Sequence, residues 1–118
     1  MGQPIPEWWC KAVVKALKTF DSHVIAWSPR GLQRWLTDTF GAFKGEAYDS
    51  LIEALSTPGI SGNETTSLPG QKAVYEFLFF YHQSNGGKPK LMYGKIALLN
   101  DGIRILILSA HNAERSTL

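Results

Sequence analysis

The sequence predicts an α+β fold in which three N-terminal helices pack on a C-terminal three-stranded antiparallel sheet, in a single domain covering residues 1–118. Three observations lead there. Apolar residues recur at helical spacing in three stretches before Thr57, and after Lys72 the spacing changes to alternation. Asn100-Asp101-Gly102 then separates two apolar runs with residue types that reach positive φ cheaply, which marks a hairpin.

The N-terminal half reads as helix, brief strand, helix, helix. Pro6 suits the first position of a helix and Glu7 the positive end of its dipole, so helix one covers Trp8–Phe20. Trp9, Val13, Ala16, Leu17 and Phe20 face inward, and Lys11, Lys15 and Lys18 form a solvated face. Residues His23–Trp27 are apolar and partly β-branched, as in a brief strand. Ser28-Pro29 is a cap followed by a proline at the first helical position, opening a helix through Leu32, Trp35, Leu36 and Phe40. Arg30 and Arg34 stand one turn apart on it, spaced to hold a phosphate or simply to form a charged edge. Gly41 stops this helix, and Lys44–Ser56 makes the third, with Tyr48, Leu51, Ile52 and Leu55 inward.

Thr57–Gly70 is rich in turn formers and hydroxyls and reads as a long loop, functional or mobile. Strand Lys72–His82 puts Tyr75, Phe77, Phe79 and Tyr81 on one face and Val74, Glu76, Leu78, Phe80 and His82 on the other; Glu76 is the unexpected residue there. A connection over Gln83–Pro89 leads to strands Leu91–Leu99 and Ile103–Ala110. With Asp101-Gly102 as a two-residue loop, Leu98 opposes Ile105 and Ile96 opposes Ile107 on an apolar face. The same register opposes Met92 to His111, which sends His111 to the apolar side, and gathers Tyr93, Lys95 and Arg104 on the other. The tail with His111, Asn112, Glu114 and Arg115 is polar and expected to fray.

Composition limits the function. With 44% hydrophobic and 19% charged residues, disorder over most of the length is excluded. A net charge of +2 is compatible with nucleic acid but lower than a dedicated DNA coat requires. The single Cys10 allows no internal disulfide and favours a reducing compartment. The opening Met-Gly-Gln-Pro-Ile-Pro-Glu lacks a basic, then apolar, secretory pattern, so the expected location is the cytoplasm with no membrane partner. There is no phosphate-binding glycine loop with Lys-Ser/Thr, no dinucleotide fingerprint and no Gly-x-Ser-x-Gly elbow. His23, His82 and His111 have no ligand spacing, so neither metal nor cofactor is expected.

The remaining polar residues suit metal-free RNA cleavage, in which a 2′-hydroxyl attacks the adjacent phosphorus. Lys95 and Arg104 supply positive charge, Tyr93 a proton or a stacking ring, His111 or His82 a group titrating near neutrality, and Glu76 the base. Glu76 and His82 are about 20 Å apart along one strand and cannot share a phosphate. Arg30, Arg34, Lys88, Lys90 and Arg115 are the candidate RNA contacts.

The element order resembles the MqsR-type mRNA interferases of the wider RelE-like toxin group, themselves likened to barnase and colicin-type nucleases. The resemblance rests on the three helices, the link His23–Trp27 and the terminal meander, with Tyr93-Gly94-Lys95-Ile96 opening its middle strand. It implies an endoribonuclease, working with or without the ribosome, that stops translation and is neutralised by a cognate antitoxin. It places Glu76 on the first meander strand, Tyr93 and Lys95 on the middle one, and His111 and Arg115 at the end of the last. The last strand ends Ser109-Ala110-His111 where a lysine is usual in the MqsR type.

Two other readings compete. Trp8, Trp9, Trp27, Trp35, Phe77 and Phe79 are many aromatics for so small a domain, as in a non-catalytic protein-binding module of immunity, anti-restriction or regulatory type, or a homodimer. A small-ligand or nucleic-acid binder without catalysis is the third.

Overall fold

The computed structural model describes residues 2–83 and 86–116. Helix α1 (Glu7–Leu17) begins after Pro6, which holds an extended φ of −54° and ψ of 134° and so precedes the helix instead of opening it. Strand β1 (Gln3–Pro4) lies before it; strand β2 (Ile25–Trp27) leads into α2 (Pro29–Asp38), and α3 (Lys44–Leu55) follows. Ser28 caps α2 as its residue type predicts, its hydroxyl accepting from the Gly31 N–H at 3.0 Å.

The expected three-stranded sheet beneath an N-terminal block of helices is not what forms. Strands β3 (Ser61–Thr65), β4 (Gln71–Tyr81), β5 (Lys90–Leu99) and β6 (Ile105–Asn112) join β1 and β2 in one six-stranded sheet of order β1-β3-β4-β5-β6-β2. It is mixed: β2 runs parallel to β6, while the other neighbours are antiparallel. Strands β1 and β2 are too short to show alternation, and β2 separates α1 from α2. Strand β3 lies inside the stretch expected to be a loop. Its polar side chains conceal it, because its pairing to β4 is made by backbone groups. Gly62 lets it approach: a Cβ there would run into the Glu76 carbonyl and the Ile5 side chain. Ser84 and Asn85 of the expected 83–89 connection lie outside the described residues.

One face of the sheet is buried under α1 and α3. Trp9, Val13 and Leu17 of α1 and Leu51 and Leu55 of α3 meet Tyr75, Phe77, Phe79, Met92, Ile96, Leu98, Ile105 and Ile107 in one core. Much of the aromatic surplus is spent here, and the indoles find acceptors. Trp9 Nε1 donates to the Ala73 carbonyl at 3.2 Å, Trp27 Nε1 to the Tyr48 hydroxyl at 2.9 Å and Trp35 Nε1 to the Ala42 carbonyl at 3.0 Å. Gly94 makes room for the Phe77 and Phe79 rings. Phe20, expected on the packed stripe of the first helix, is exposed, and so is Phe40: they have left-handed φ of 51° and 56° just past the ends of α1 and α2, which takes them out of the helical pattern. Among the described residues no helix is long and apolar enough to cross a membrane.

The hairpin loop is longer than two residues, closing at Leu99 N–H to Arg104 carbonyl (2.9 Å), yet it keeps the expected register of Leu98 with Ile105 and Ile96 with Ile107. Between Lys95 and Ile96 the register shifts by one, so that Lys95 opposes Ser109 and Leu108 is the extra residue of a bulge. Helix α2 holds that bulge. The Ser28 hydroxyl donates to the Leu108 carbonyl at 3.2 Å, Gly31 packs against the same carbonyl, and the Asn112 N–H donates to Asp38 Oδ2 at 2.9 Å. His111 therefore opposes Tyr93, not Met92, and lies on the face away from the helices. The expected burial of His111 on the apolar side is overturned by this one residue.

Candidate functional site

The face without helices carries Val74, Glu76, Leu78 and Phe80 of β4, alternating with the core-facing aromatics. Glu76 stands in its middle, opposite Asn63 of β3 and Lys95 of β5. A carboxylate in so apolar a strand needs donors, and it has two. Tyr93 donates its hydroxyl to Glu76 Oε1 at 2.7 Å, and Asn63 Nδ2 donates to Oε2 at 3.3 Å. Burial first, then the hydrogen bond to the Glu76 carboxylate and its charge, push the Tyr93 hydroxyl well above the ordinary tyrosine range, so it is a proton donor at neutral pH.

The Tyr93 ring lies 5.2 Å from the His111 imidazole, tilted by 33°. His111 Nδ1 is 2.9 Å from the Asn112 carbonyl, a contact that is a hydrogen bond when Nδ1 carries the proton and that leaves Nε2 for chemistry. Glu76, Tyr93 and His111 line one concavity of about 320 Å³, completed by Leu78 and by Ala113, Glu114 and Arg115 of the segment after β6. The backbone positions of Glu76 and His111 are roughly 12 Å apart, two strand spacings of about 4.8 Å with an offset of two residues. The Lys95 side chain, beside Glu76 and two residues from Tyr93, forms no ion pair or hydrogen bond among the described residues.

The other candidates lie elsewhere. Arg104 is at the far end of the hairpin, its Nε donating to Asp101 Oδ2 at 2.6 Å. It is seven positions before His111, roughly 23 Å of strand. The Arg104 side chain and the Arg104 and Ile103 N–H groups hold the Asp101 carboxyl down at about 2. His82 is at the end of β4, with Nε2 3.4 Å from Glu53 Oε1. Arg34 pairs with Asp38 at 3.6 Å, Arg30 is exposed on α2, and Lys88 is exposed in the segment before β5. Lys90 Nζ donates to the Asp38 carbonyl at 3.0 Å and stands 5.5 Å from the Phe40 ring. Of the sequence candidates, the fold brings together Glu76, Tyr93, His111 and Arg115, with Lys95 adjoining.

The sequence reading assigns no role to Asn63. The signal for it is Glu76 itself: a lone carboxylate in an apolar strand requires a donor on a neighbouring strand, and Asn63 supplies one. Among the described residues no three His, Cys, Asp or Glu side chains gather as metal ligands. No protein-family model, curated protein or solved structure matches the chain.

Proposed function

We propose that the chain is an endoribonuclease of the toxin type that cleaves RNA in the cytoplasm by internal transesterification, with Glu76 and His111 as its proton-transfer pair. The observation that carries this reading is the bulge at Leu108, which turns His111 onto the face that holds Glu76 and Tyr93. A carboxylate and an imidazole lining one concavity suit acid–base catalysis of phosphoryl transfer.

In the proposed reaction, the Glu76 carboxylate takes the proton of a ribose 2′-hydroxyl as its oxygen bonds to the adjacent phosphorus. The bond from phosphorus to the 5′ oxygen breaks, and that oxygen leaves with a proton from the His111 imidazolium. The products are a 2′,3′-cyclic phosphate and a 5′-hydroxyl. Lys95 and Arg115 offset the negative charge on the non-bridging oxygens, and Tyr93 fixes both partners through its hydroxyl and its ring. A cognate antitoxin covering this face is the protein partner that the toxin reading brings with it.

The test is incubation of purified protein with single-stranded RNA in the presence of a chelator. Cleavage leaving 2′,3′-cyclic phosphate ends is expected, with Glu76→Gln and His111→Ala each slower by about 10²- to 10⁴-fold and Lys95→Ala also impaired. Intact RNA after incubation with folded wild-type protein would overturn the proposal.

A further inference from the structure

The loop between α2 and α3 presents two phenylalanines to solvent, Phe40 at 92% and Phe43 at 82% exposure. Phe40 holds the left-handed φ of 56°, followed by Gly41 at 85°, which lets the Gly41 N–H donate to the Leu36 carbonyl at 2.8 Å and close the helix. Glycine or asparagine takes that backbone at lower cost. Phenylalanine at position 40 is thus both strained and unburied. The loop is nonetheless held in place: Thr39 Oγ1 donates to the Trp35 carbonyl at 2.6 Å and accepts the Ala42 N–H at 3.2 Å, and Trp35 Nε1 donates to the Ala42 carbonyl.

Phe40 and Phe43 are among the residues lining a concavity of about 190 Å³, to which Glu46, Tyr81 and Gln83 also contribute. Its lining is mostly polar, with the Tyr81 hydroxyl donating to Glu46 Oε1 at 2.9 Å, and the two phenylalanines stand beside it, largely in solvent. An aliphatic chain would set apolar atoms against a carboxylate, a phenol and an amide. A planar heterocycle with a hydrogen-bonding edge matches both parts. Lys90, against the Phe40 ring, supplies a cation at the rim and lies three residues before Tyr93 on β5, about 10 Å along the strand. Asp38, whose carbonyl Lys90 contacts, also receives the N–H of Asn112, next to His111. The slot opens on the helix-covered side of the sheet and the Glu76 site on the other, and both lie near the end where β5 begins and β6 finishes.

We propose that the Phe40–Phe43 loop is a subsite for one unpaired nucleobase of single-stranded RNA, stacked on the exposed rings with a neighbouring phosphate on Lys90. The proposal rests on the reading of the sheet face as an RNA site and extends it around the end of β5 and β6 to a nucleotide beyond the cleaved phosphate.

The experiment measures binding of a fluorescent single-stranded oligonucleotide with 2′-O-methyl riboses, which cannot be cleaved, to wild type, Phe40→Gly, Phe40→Tyr and His111→Ala. Phe40→Gly is expected to weaken binding by about fivefold or more, the loss of one stacked base. Its melting temperature stays the same or rises, because glycine relaxes the left-handed backbone. Phe40→Tyr binds like wild type, and His111→Ala keeps its affinity while losing cleavage. Equal affinity of Phe40→Gly and a cleaving wild type overturns the subsite alone; absence of both binding and cleavage in wild type overturns the subsite and the nuclease reading together. Loss of self-association or of vesicle binding in Phe40→Gly, with oligonucleotide affinity unchanged, assigns the loop to another contact and likewise overturns the subsite.

Discussion

His111 and Tyr93 face each other across β5 and β6 with their rings 5.2 Å apart, a pairing that exists only because β6 carries one residue more than a regular ladder needs. Inserting an alanine between Ser109 and Ala110 adds one more. With the bulge held at Leu108, the strand end then returns His111 to a place opposite Met92 on the helix-covered face and slides the Asn112 N–H away from Asp38. Expected outcomes are loss of RNA cleavage to the level of His111→Ala and lower thermal stability. An insertion variant that cleaves like wild type would show that His111 is not where the chemistry occurs.

Tyr93→Phe removes the shorter of the two hydrogen bonds to Glu76 while keeping the ring against His111. The partly buried carboxylate loses a donor, which costs about 1–3 kcal/mol of stability at neutral pH. The pH dependence follows from the raised tyrosine pKa. Because the folded value lies above the unfolded value near 10, this stabilisation is complete below pH 10 and is lost as pH rises beyond it. Chemical denaturation of the two proteins should therefore differ at pH 7 and converge in strong alkali.

At the far end of the hairpin the sign reverses. The Asp101 carboxyl is held at about 2 in the fold against an ordinary 3.8, so its contribution is complete above pH 4 and disappears as pH falls through 2. Melting curves of wild type and Asp101→Asn are expected to separate at pH 7 and to approach one another near pH 2. Arg104→Ala should reproduce part of that loss and leave the rate of RNA cleavage unchanged, since Arg104 lies roughly 23 Å of strand from His111.

Gly31 is the contact through which α2 grips the bulge. A Cβ there would stand 2.6 Å from the Leu108 carbonyl oxygen and 2.8 Å from the Ser28 hydroxyl. Backbone on one side and the helix cap on the other leave little room to yield, so Gly31→Ala should cost about 1–3 kcal/mol. Because the same movement displaces β6, cleavage should fall as well. Equilibrium unfolding combined with an activity assay separates the two effects.

Much of this was written in local pattern. The helical spacing of Trp9, Val13 and Leu17, the Ser28-Pro29 start of α2, the alternation of β4 and the turn at Asn100–Gly102 each depend on a few neighbouring residues, and each forms where its residue types ask for it. Glu76 could be singled out from its own strand alone, because a charge among aromatics needs a partner whatever the fold. Strand β3 could not: Ser61–Thr65 is held by backbone hydrogen bonds to β4, and its side chains carry no alternation.

By itself, then, the order of residues determined which segments coil, that β2, β4, β5 and β6 extend, and how the hairpin registers near its turn, since these follow from side-chain spacing and backbone preference within short windows. The six-stranded mixed sheet, the Asn63 and Tyr93 donors around Glu76 and the side on which His111 emerges were decided only in three dimensions. The physical reason is the bulge: Leu108 drops out of the ladder because its carbonyl meets Ser28 and Gly31, eighty and seventy-seven positions earlier in the chain, and no local pattern contains that contact.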